Sequence, residues 1–407
     1  MVGTEAVVDV GPAAHGGHCV ARLDGRVVFV RHALPGERVR VSITEGEEDS
    51  RFLRGDAVEV MQASPERVEP PCRYAGPRRC GGCDFQHASL DYQRELKADV
   101  IREQFARLAH TDVDVWSHGG AVEVEALPGD ETGLRWRSRV EFAVDDLGRA
   151  GLRAHRSHRV VPIDDCLIAD QRIVDSGVLD TVWTGCTGVD AVAADEPEGA
   201  VLVALPDGRQ PSVVQRVTAP GWSSEFRVGA RGFWQVHPGA APAFVSHVLA
   251  SLSPRAGDRV LDLYAGAGLF AAALADAVGT SGSVLAVEGH RPAVVDGMRN
   301  TATRPPVEWR HGRVDRVVRS LVRQQVHADL IVLDPPRTGA GRDVSRDLAA
   351  LTPRRIAYVA CDPAALARDT AYLGSAGYGL DSLRAYDAFP MTHHVECIAV
   401  FVPAERS

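Results

Sequence analysis

Three side chains stand where catalysis is expected. Cys361 follows the apolar run 356–360 and precedes Asp362 and Pro363. A thiol at the end of a strand-like run is either a small buried hydrophobe or a nucleophile. Asp334 ends a second apolar run, in Asp334-Pro335-Pro336-Arg337. Such an acid either forms a turn or sits at the carboxyl end of a strand, where open α/β sheets do their chemistry. Glu396 interrupts a third run, His394-Val395-Glu396-Cys397-Ile398-Ala399-Val400. Burying a lone carboxylate is costly, so this one is expected to be paired or catalytic.

A ligand-binding turn is legible in residues 259–288. The apolar run 260–263 leads into Gly266, Gly268 and Ala271, spaced G-x-G-x-x-A, then an Ala-rich helical stretch and a second apolar run ending at Glu288. Glycines let the backbone turn tightly against a ligand, and an acid 20 residues beyond Gly268 can take up a ribose hydroxyl pair. A dinucleotide and S-adenosylmethionine both fit this pattern. Asp262, in the strand before the glycines, tilts the choice toward the cationic ligand, because a carboxylate repels a pyrophosphate.

Cys72, Cys80 and Cys83 form a C-x7-C-x2-C pattern in a loop rich in Gly and Pro, and Cys166 lies at another turn. Four thiolates serve an iron–sulfur cluster or a structural zinc site, and spacing alone does not choose. The alternative is unligated cysteines.

These residues need elements to hold them. The chain has 407 residues, 45% hydrophobic and 24% charged, with a net charge of −9. That is an ordinary globular composition, long enough for two to three domains. No apolar run approaches the ~18 residues that span a bilayer, and no basic segment precedes an apolar core at the N-terminus, so a cytoplasmic protein without membrane contact is expected. Lys97 is the sole lysine and Asn300 the sole asparagine in an arginine-rich chain, which reads as codon bias.

Residues 1–62 alternate in short runs broken by Gly25, Pro35, Gly36 and Gly46, and predict an OB-like β-barrel. Residues 63–232 predict a central β-rich domain carrying the cysteine loop. Within it, residues 88–110 show helical spacing and are expected to pack on the catalytic domain. Residues 233–407 alternate strand and helix and predict a doubly wound α/β sheet. Seven arginines crowd residues 135–159, either as a solvated strand face or as a phosphate-contacting surface.

Taken together, these motifs resemble the S-adenosylmethionine-dependent RNA uracil-C5-methyltransferases. His15-Gly16-Gly17-His18-Cys19-Val20-Ala21-Arg22 resembles the start of that family's TRAM domain, an OB-type RNA-binding barrel. Cys72, Cys80, Cys83 and Cys166 resemble its [4Fe-4S] motif, which favours iron–sulfur over zinc. Residues 232–240 resemble its F-x-Q-V-N segment, which implies that Gln235 contacts S-adenosylmethionine. The loop with Tyr264, Gly266 and Gly268 resembles its cofactor turn, with Glu288 on the ribose and Asp334 supplied by D-P-P-R. Ala360-Cys361-Asp362-Pro363 resembles its S-C-N-P nucleophile motif, and Thr392-His393-His394-Val395-Glu396 its T-x-H-V-E segment, whose Glu is the general base.

The resemblance implies a class I methyltransferase domain joined to an iron–sulfur domain and a TRAM barrel. It implies a monomer that methylates 23S ribosomal RNA first and transfer RNA second. His237, Leu269, Arg313 and Asp362 depart from the family pattern, and they bear on outer cofactor contacts and on the nucleophile's neighbour. Two rivals are a non-catalytic RNA-binding iron–sulfur protein and an exocyclic-amine methyltransferase. The latter would want N-P-P-Y where D-P-P-R stands and has no use for Cys361.

Overall fold

The structure is a computed structural model that describes residues 2–129, 131–206 and 211–404. A closed barrel comes first, from β1 (Glu5–Ala14), β2 (His18–Leu23), β3 (Arg26–Arg31), β4 (Arg38–Glu45) and β5 (Phe52–Gln62), in the order β1-β2-β3-β5-β4. Closure leaves no free sheet edge. Alternate residues point inward, so Val8, Val10, Cys19, Val28, Val30, Val39, Val41 and Leu53 form one core. Burying each such branched side chain is worth roughly 1.5–3 kcal/mol.

Helix α1 (Leu90–Gln104) follows the cysteine loop, and its last turn loosens into a π-helical turn, Phe105–Ala109. Ser89 caps its start by accepting from the Tyr92 amide. Its Ala98, Ile101 and Phe105 lie in one core with residues of the catalytic part. The short strand β6 (Val124–Ala126) then pairs with that part's sheet.

The central sheet has the order β11-β10-β7-β8-β9. Its elements are β7 (Arg139–Val144), β8 (Ala150–Arg153), β9 (Val160–Pro162), α2 (Gln171–Asp175), β10 (Gly188–Ala194) and β11 (Gly199–Leu205). The hairpin β12 (Ser212–Ala219) and β13 (Trp222–Gly229) follows. It buries Val217, Phe226 and Val228 in the catalytic part's core, while its Val213 packs with Val192, Ala194 and Val203 of the central sheet.

The catalytic part contains α3 (Ala240–Leu252), β14 (Arg259–Leu263), α4 (Leu269–Val278), β15 (Ser283–Glu288), α5 (Arg291–Thr301) and β16 (Val307–His311). It continues with α6 (Val314–Arg323), β17 (Leu330–Leu333), α7 (Gly341–Ala350), β18 (Arg355–Ala360), α8 (Pro363–Ser375), β19 (Tyr378–Asp387) and β20 (Glu396–Pro403). The sheet order is β16-β15-β14-β17-β18-β20-β19-β6. Strands β14 to β18 run parallel; β14, β15, β17 and β18 are largely apolar on both faces, and the edge strand β16 is half-exposed. The last strand in sequence, β20, is inserted antiparallel between β18 and β19. That insertion brings Glu396 to the same sheet end as Cys361. Among the described residues no helix is long and apolar enough to cross a membrane.

Candidate active site

The parallel strands deliver their carboxyl ends to one edge. Asp262 and Leu263 close β14, Glu288 closes β15, Asp334 follows β17 and Cys361 follows β18. The pairing of Ala360 with Cys397 sets Cys361 beside Glu396.

Burial dominates the electrostatics here. Glu396 is only 4% exposed, and its Oε2 has no hydrogen-bond partner. Burial, then the Asp334 charge, push its carboxyl well above the usual range. Burial likewise raises Asp334. Asp262 is pushed up to about 8, by burial first and by Asp334 and Glu288 next, and its Oδ2 is also without a partner. Burial and the neighbouring carboxylates raise the Cys361 thiol to about 12, against the opposing charge of Arg337. A buried acidic cluster with partnerless oxygens suits a cationic ligand, which would satisfy the carboxylates in their ionised form.

The glycine turn lies at the same sheet edge. Gly266 and Gly268 have φ of 54° and 91°, in the left-handed region that favours glycine. A Cβ at Gly266 would meet open space, so backbone conformation and not crowding requires the glycine there. The Glu288 carboxylate accepts from the Gly266 amide at 3.0 Å and from the His290 amide at 2.6 Å, which fixes the acid against the turn. Tyr264 also has positive φ, 60°, and burial raises its phenol to about 12. Gln235 is buried in the loop between β13 and α3. The neighbouring Val236 carbonyl accepts from both the amide and the hydroxyl of Ser138, at 2.8 Å each.

Asp362 takes a helix-capping role. Its side chain accepts from the Ala365 amide at 2.8 Å with Pro363 in the first helical turn, so an Asp serves where Asn is usual. Its second oxygen meets His15 of the barrel at 2.9 Å. Burial works against ionisation of Asp362, yet the His15 and Ala365 hydrogen bonds hold its carboxyl below the usual range, while the same bond raises His15. His237 stacks on Trp136 with centroids 5.9 Å apart, and Arg313 pairs outward with Asp315.

His15 and Lys97 escaped the sequence reading. Both line the small pocket at Cys361, with Arg337, His393 and His394. Nothing local marks His15. Lys97 carried a signal, because it and Gln93 occupy the buried stripe of α1, where polar residues need a reason.

The four cysteines come together. Cys72, Cys80, Cys83 and Cys166 line one cavity of about 240 Å³, with Arg137 and Arg153 beside them. Yet among the described residues no three His, Cys, Asp or Glu side chains converge tightly enough to hold a metal ion. The expected metal centre is therefore not preformed as a single-ion site, because the thiols stand around a cavity instead of a point. The donor set itself fits a thiolate-ligated group wider than one ion.

The arginine-rich stretch is not one solvated face. Arg139 is largely buried and donates to the Ala230 and Gly232 carbonyls, Arg135 pairs with Asp165, and Arg156 reaches Glu45 of the barrel.

Residues 1–58 match the TRAM domain family, and residues 311–403 match the family described as tRNA (Uracil-5-)-methyltransferase. A protein of Streptomyces avermitilis described as an uncharacterized RNA methyltransferase is 48% identical over 100% of both chains. The 23S rRNA (uracil(1939)-C(5))-methyltransferase RlmD of Chromohalobacter salexigens is 33% identical, over 94% of this chain and 86% of that one. The crystal structure of the Pyrococcus abyssi tRNA (uracil-54, C5)-methyltransferase with S-adenosyl-L-homocysteine shares the fold, at a TM-score of 0.67 and 21% identity over 98% of this chain and 100% of that one. With its barrel, its glycine turn and its Cys–Glu pair in place, the chain belongs to the S-adenosylmethionine-dependent RNA (uracil-C5-)methyltransferases that carry a TRAM domain.

Proposed function

We propose that the protein methylates C5 of one uridine in 23S ribosomal RNA, acting as a monomer through a covalent bond from Cys361 to C6. The observation that carries this reading is the meeting of Cys361 and the buried, partnerless Glu396 at the end of β18 and β20. The ribosomal target rests on the RlmD relative, which spans 94% of this chain. Transfer RNA is the second reading, favoured by the family match over residues 311–403.

Bound S-adenosylmethionine would supply a methyl group on a positively charged sulfur. Gln235, Tyr264, Gly266, Gly268 and Glu288 would hold it over the turn, with Asp334 beside the reacting atoms. Uracil C5 is a poor nucleophile, and Cys361 corrects that. As thiolate, its sulfur bonds to C6, and the C5–C6 pair of electrons is delocalised onto C5 and O4. Carbon 5 can then take the methyl group. Glu396, as carboxylate, removes the remaining C5 proton, the C5–C6 double bond re-forms, and the C6–S bond breaks to release Cys361. The site therefore needs Glu396 ionised, although burial alone favours its protonated form. The target base leaves its stack to reach this buried pair. Cys72, Cys80, Cys83 and Cys166 would ligate a [4Fe-4S] cluster, to which this reaction assigns no redox step.

The test separates the two roles. Cys361→Ala should lose methyl transfer by at least ~100-fold, the scale of nucleophilic and acid–base contributions, with S-adenosylmethionine binding kept. Glu396→Gln should stall after methylation, joined to RNA through Cys361. Denaturing electrophoresis should then show a slower band that requires S-adenosylmethionine and vanishes in the double variant. Wild-type turnover by Glu396→Gln, or an RNA adduct that survives loss of the thiol, would overturn the assignment.

A further inference from the structure

A thiol that must ionise is hindered by a standing negative charge beside it, and Cys361 has one. Burial, then the charges of Glu396 and Asp334 and last of Asp362, push the thiol up to about 12, against Arg337. Burial drives Glu396 and Asp334 toward their neutral forms. Asp362 goes the other way. Burial opposes its ionisation, yet hydrogen bonds to His15 and to the Ala365 amide hold it below the usual range. Of the three carboxylates it is the one that stays charged at neutral pH, one residue from the thiol. An Asn would cap α8 equally well without that charge.

The barrel supplies the counter-charge. His15 Nε2 stands 2.9 Å from Asp362 Oδ2, and both residues line the pocket at Cys361. The pocket's other basic side chains are engaged elsewhere. Lys97 is held by Asp387 at 2.5 Å. Arg337 donates to His394 Nε2 at 3.2 Å, so that nitrogen carries no proton, and burial lowers His394 to about 3. His393 Nδ1 stands 2.6 Å from Asp84. The bond to Asp362 raises His15 above its ordinary value, with help from the charges of Asp362 and Glu103 and against burial and Arg337.

His15 arrives there because the turn between β1 and β2 is fixed on both sides. Before it, Ala13 packs on the small core of Leu34, Phe85, Ala88 and Leu96, the last of these on α1. After it, Gly17 has φ of 78°, and a Cβ there would come within 3.0 to 3.1 Å of Asp84 and His393 side-chain atoms. The turn is thus fitted closely onto the catalytic part.

We propose that His15 is a positioning residue for the reaction: its imidazolium, carried in by the barrel, neutralises Asp362 and so lets Cys361 ionise beside it. This rests on the reading of Cys361 as the nucleophile and gives the barrel a part in activating it. The pH window follows from the two partners. Asp362, held low, is ionised from below neutral pH upward, and His15, held high, keeps its proton until pH rises through its own raised titration. The pair exists between those limits and is lost above the second.

The test is the rate at which iodoacetamide alkylates Cys361 in the full chain from pH 6 to pH 10, followed by mass spectrometry of the peptide that holds it. Circular dichroism and S-adenosylmethionine binding serve as checks of folding. Near pH 7, His15→Ala should react about three-fold more slowly than wild type, because a less ionised thiol loses more reactivity than its thiolate gains in nucleophilicity. The ratio should fall toward one as pH rises past the titration of His15. His15→Gln keeps a hydrogen-bond donor without the charge and should behave as His15→Ala does. Asp362→Asn should react at least as fast as wild type, and adding His15→Ala to it should change nothing. Wild-type rates in His15→Ala at every pH would overturn the proposal. So would a slowing that ignores pH, recovery in His15→Gln, or the same slowing in the Asp362→Asn background, which are the marks of a contact that is only structural. If the rates follow the proposal and Cys361→Ala still methylates RNA, the nucleophile reading fails and the pair stands. If Cys361→Ala is inactive and the His15 variants alkylate as wild type does, the pair falls and the nucleophile reading stands.

Discussion

Three carboxylates buried at one sheet edge are unfavourable until something positive joins them. Asp262 states the case most simply, since burial raises its pKa from the ordinary value to about 8 and its Oδ2 has no partner. A folded-state pKa above the unfolded one means that the folded chain binds the extra proton. Its contribution is neutral below the unfolded pKa, near 4, and turns destabilising as pH rises from there to about 8. Ligand-free protein should therefore lose thermal stability between pH 5 and 8, with Asp262 contributing on the order of a few kcal/mol. Asp262→Asn should flatten that dependence. S-adenosylmethionine should stabilise the wild type more at pH 8 than at pH 6, and S-adenosylhomocysteine, which lacks the sulfonium charge, should show a smaller pH effect. Thermal unfolding across pH with each ligand measures this. Equal pH slopes for wild type and Asp262→Asn would show that the carboxylate is compensated. At this scale the motifs were legible, because glycines at a turn and acids at strand ends leave a pattern in one dimension. His15 was not, since its partner Asp362 is 347 residues away.

Among the elements, α1 shows how a segment outside the catalytic part holds the pocket in place. Lys97 on its buried stripe reaches Asp387 at the end of β19 at 2.5 Å and the Phe389 carbonyl at 3.1 Å. Both charged side chains are wholly shielded from solvent. Removing one partner leaves the other charge buried alone, which costs roughly 3–5 kcal/mol. Lys97→Met should lose about that much in denaturant unfolding, and Lys97→Met/Asp387→Leu should recover a large part of it. A single variant as stable as wild type would mean that Arg94, 3.6 Å from the same carboxylate, suffices. The helical period of 88–110 was readable because apolar residues recur along one face. The place of β6 was not readable. Three residues carry too little pattern, and β6 joins the sheet edge beside β19 only because α1 delivers the chain there. The packing of the hairpin β12–β13 on two bodies was not readable for a related reason, since alternation says that a face is buried but not against which body.

Across the whole molecule, the cysteine loop is where the parts meet. The Gly81 amide donates to the Arg153 carbonyl of the central sheet, and the Asp84 and Phe85 amides donate to the Met391 carbonyl of the catalytic part. Asp84 accepts from His393 at 2.6 Å, and His87 lies 3.4 Å from the Ala33 carbonyl of the barrel. The loop has almost no regular structure of its own, and under the proposed function its four thiols would hold a cluster that braces it. Burial raises the Cys80 thiol to about 11, with the neighbouring cysteines adding to the rise. Four thiolates around one cavity would repel one another without a positively charged centre to bind them. Anaerobically purified protein should therefore be brown and carry about four irons per chain. Cys80→Ala should lose the colour. It should also loosen the junction, so that limited proteolysis cuts within residues 72–87 and frees the barrel from the rest. Colourless protein with one zinc per chain would replace the cluster by a zinc site. An iron-free Cys80→Ala chain that resists protease like the wild type would show that the hydrogen bonds alone hold the three parts together.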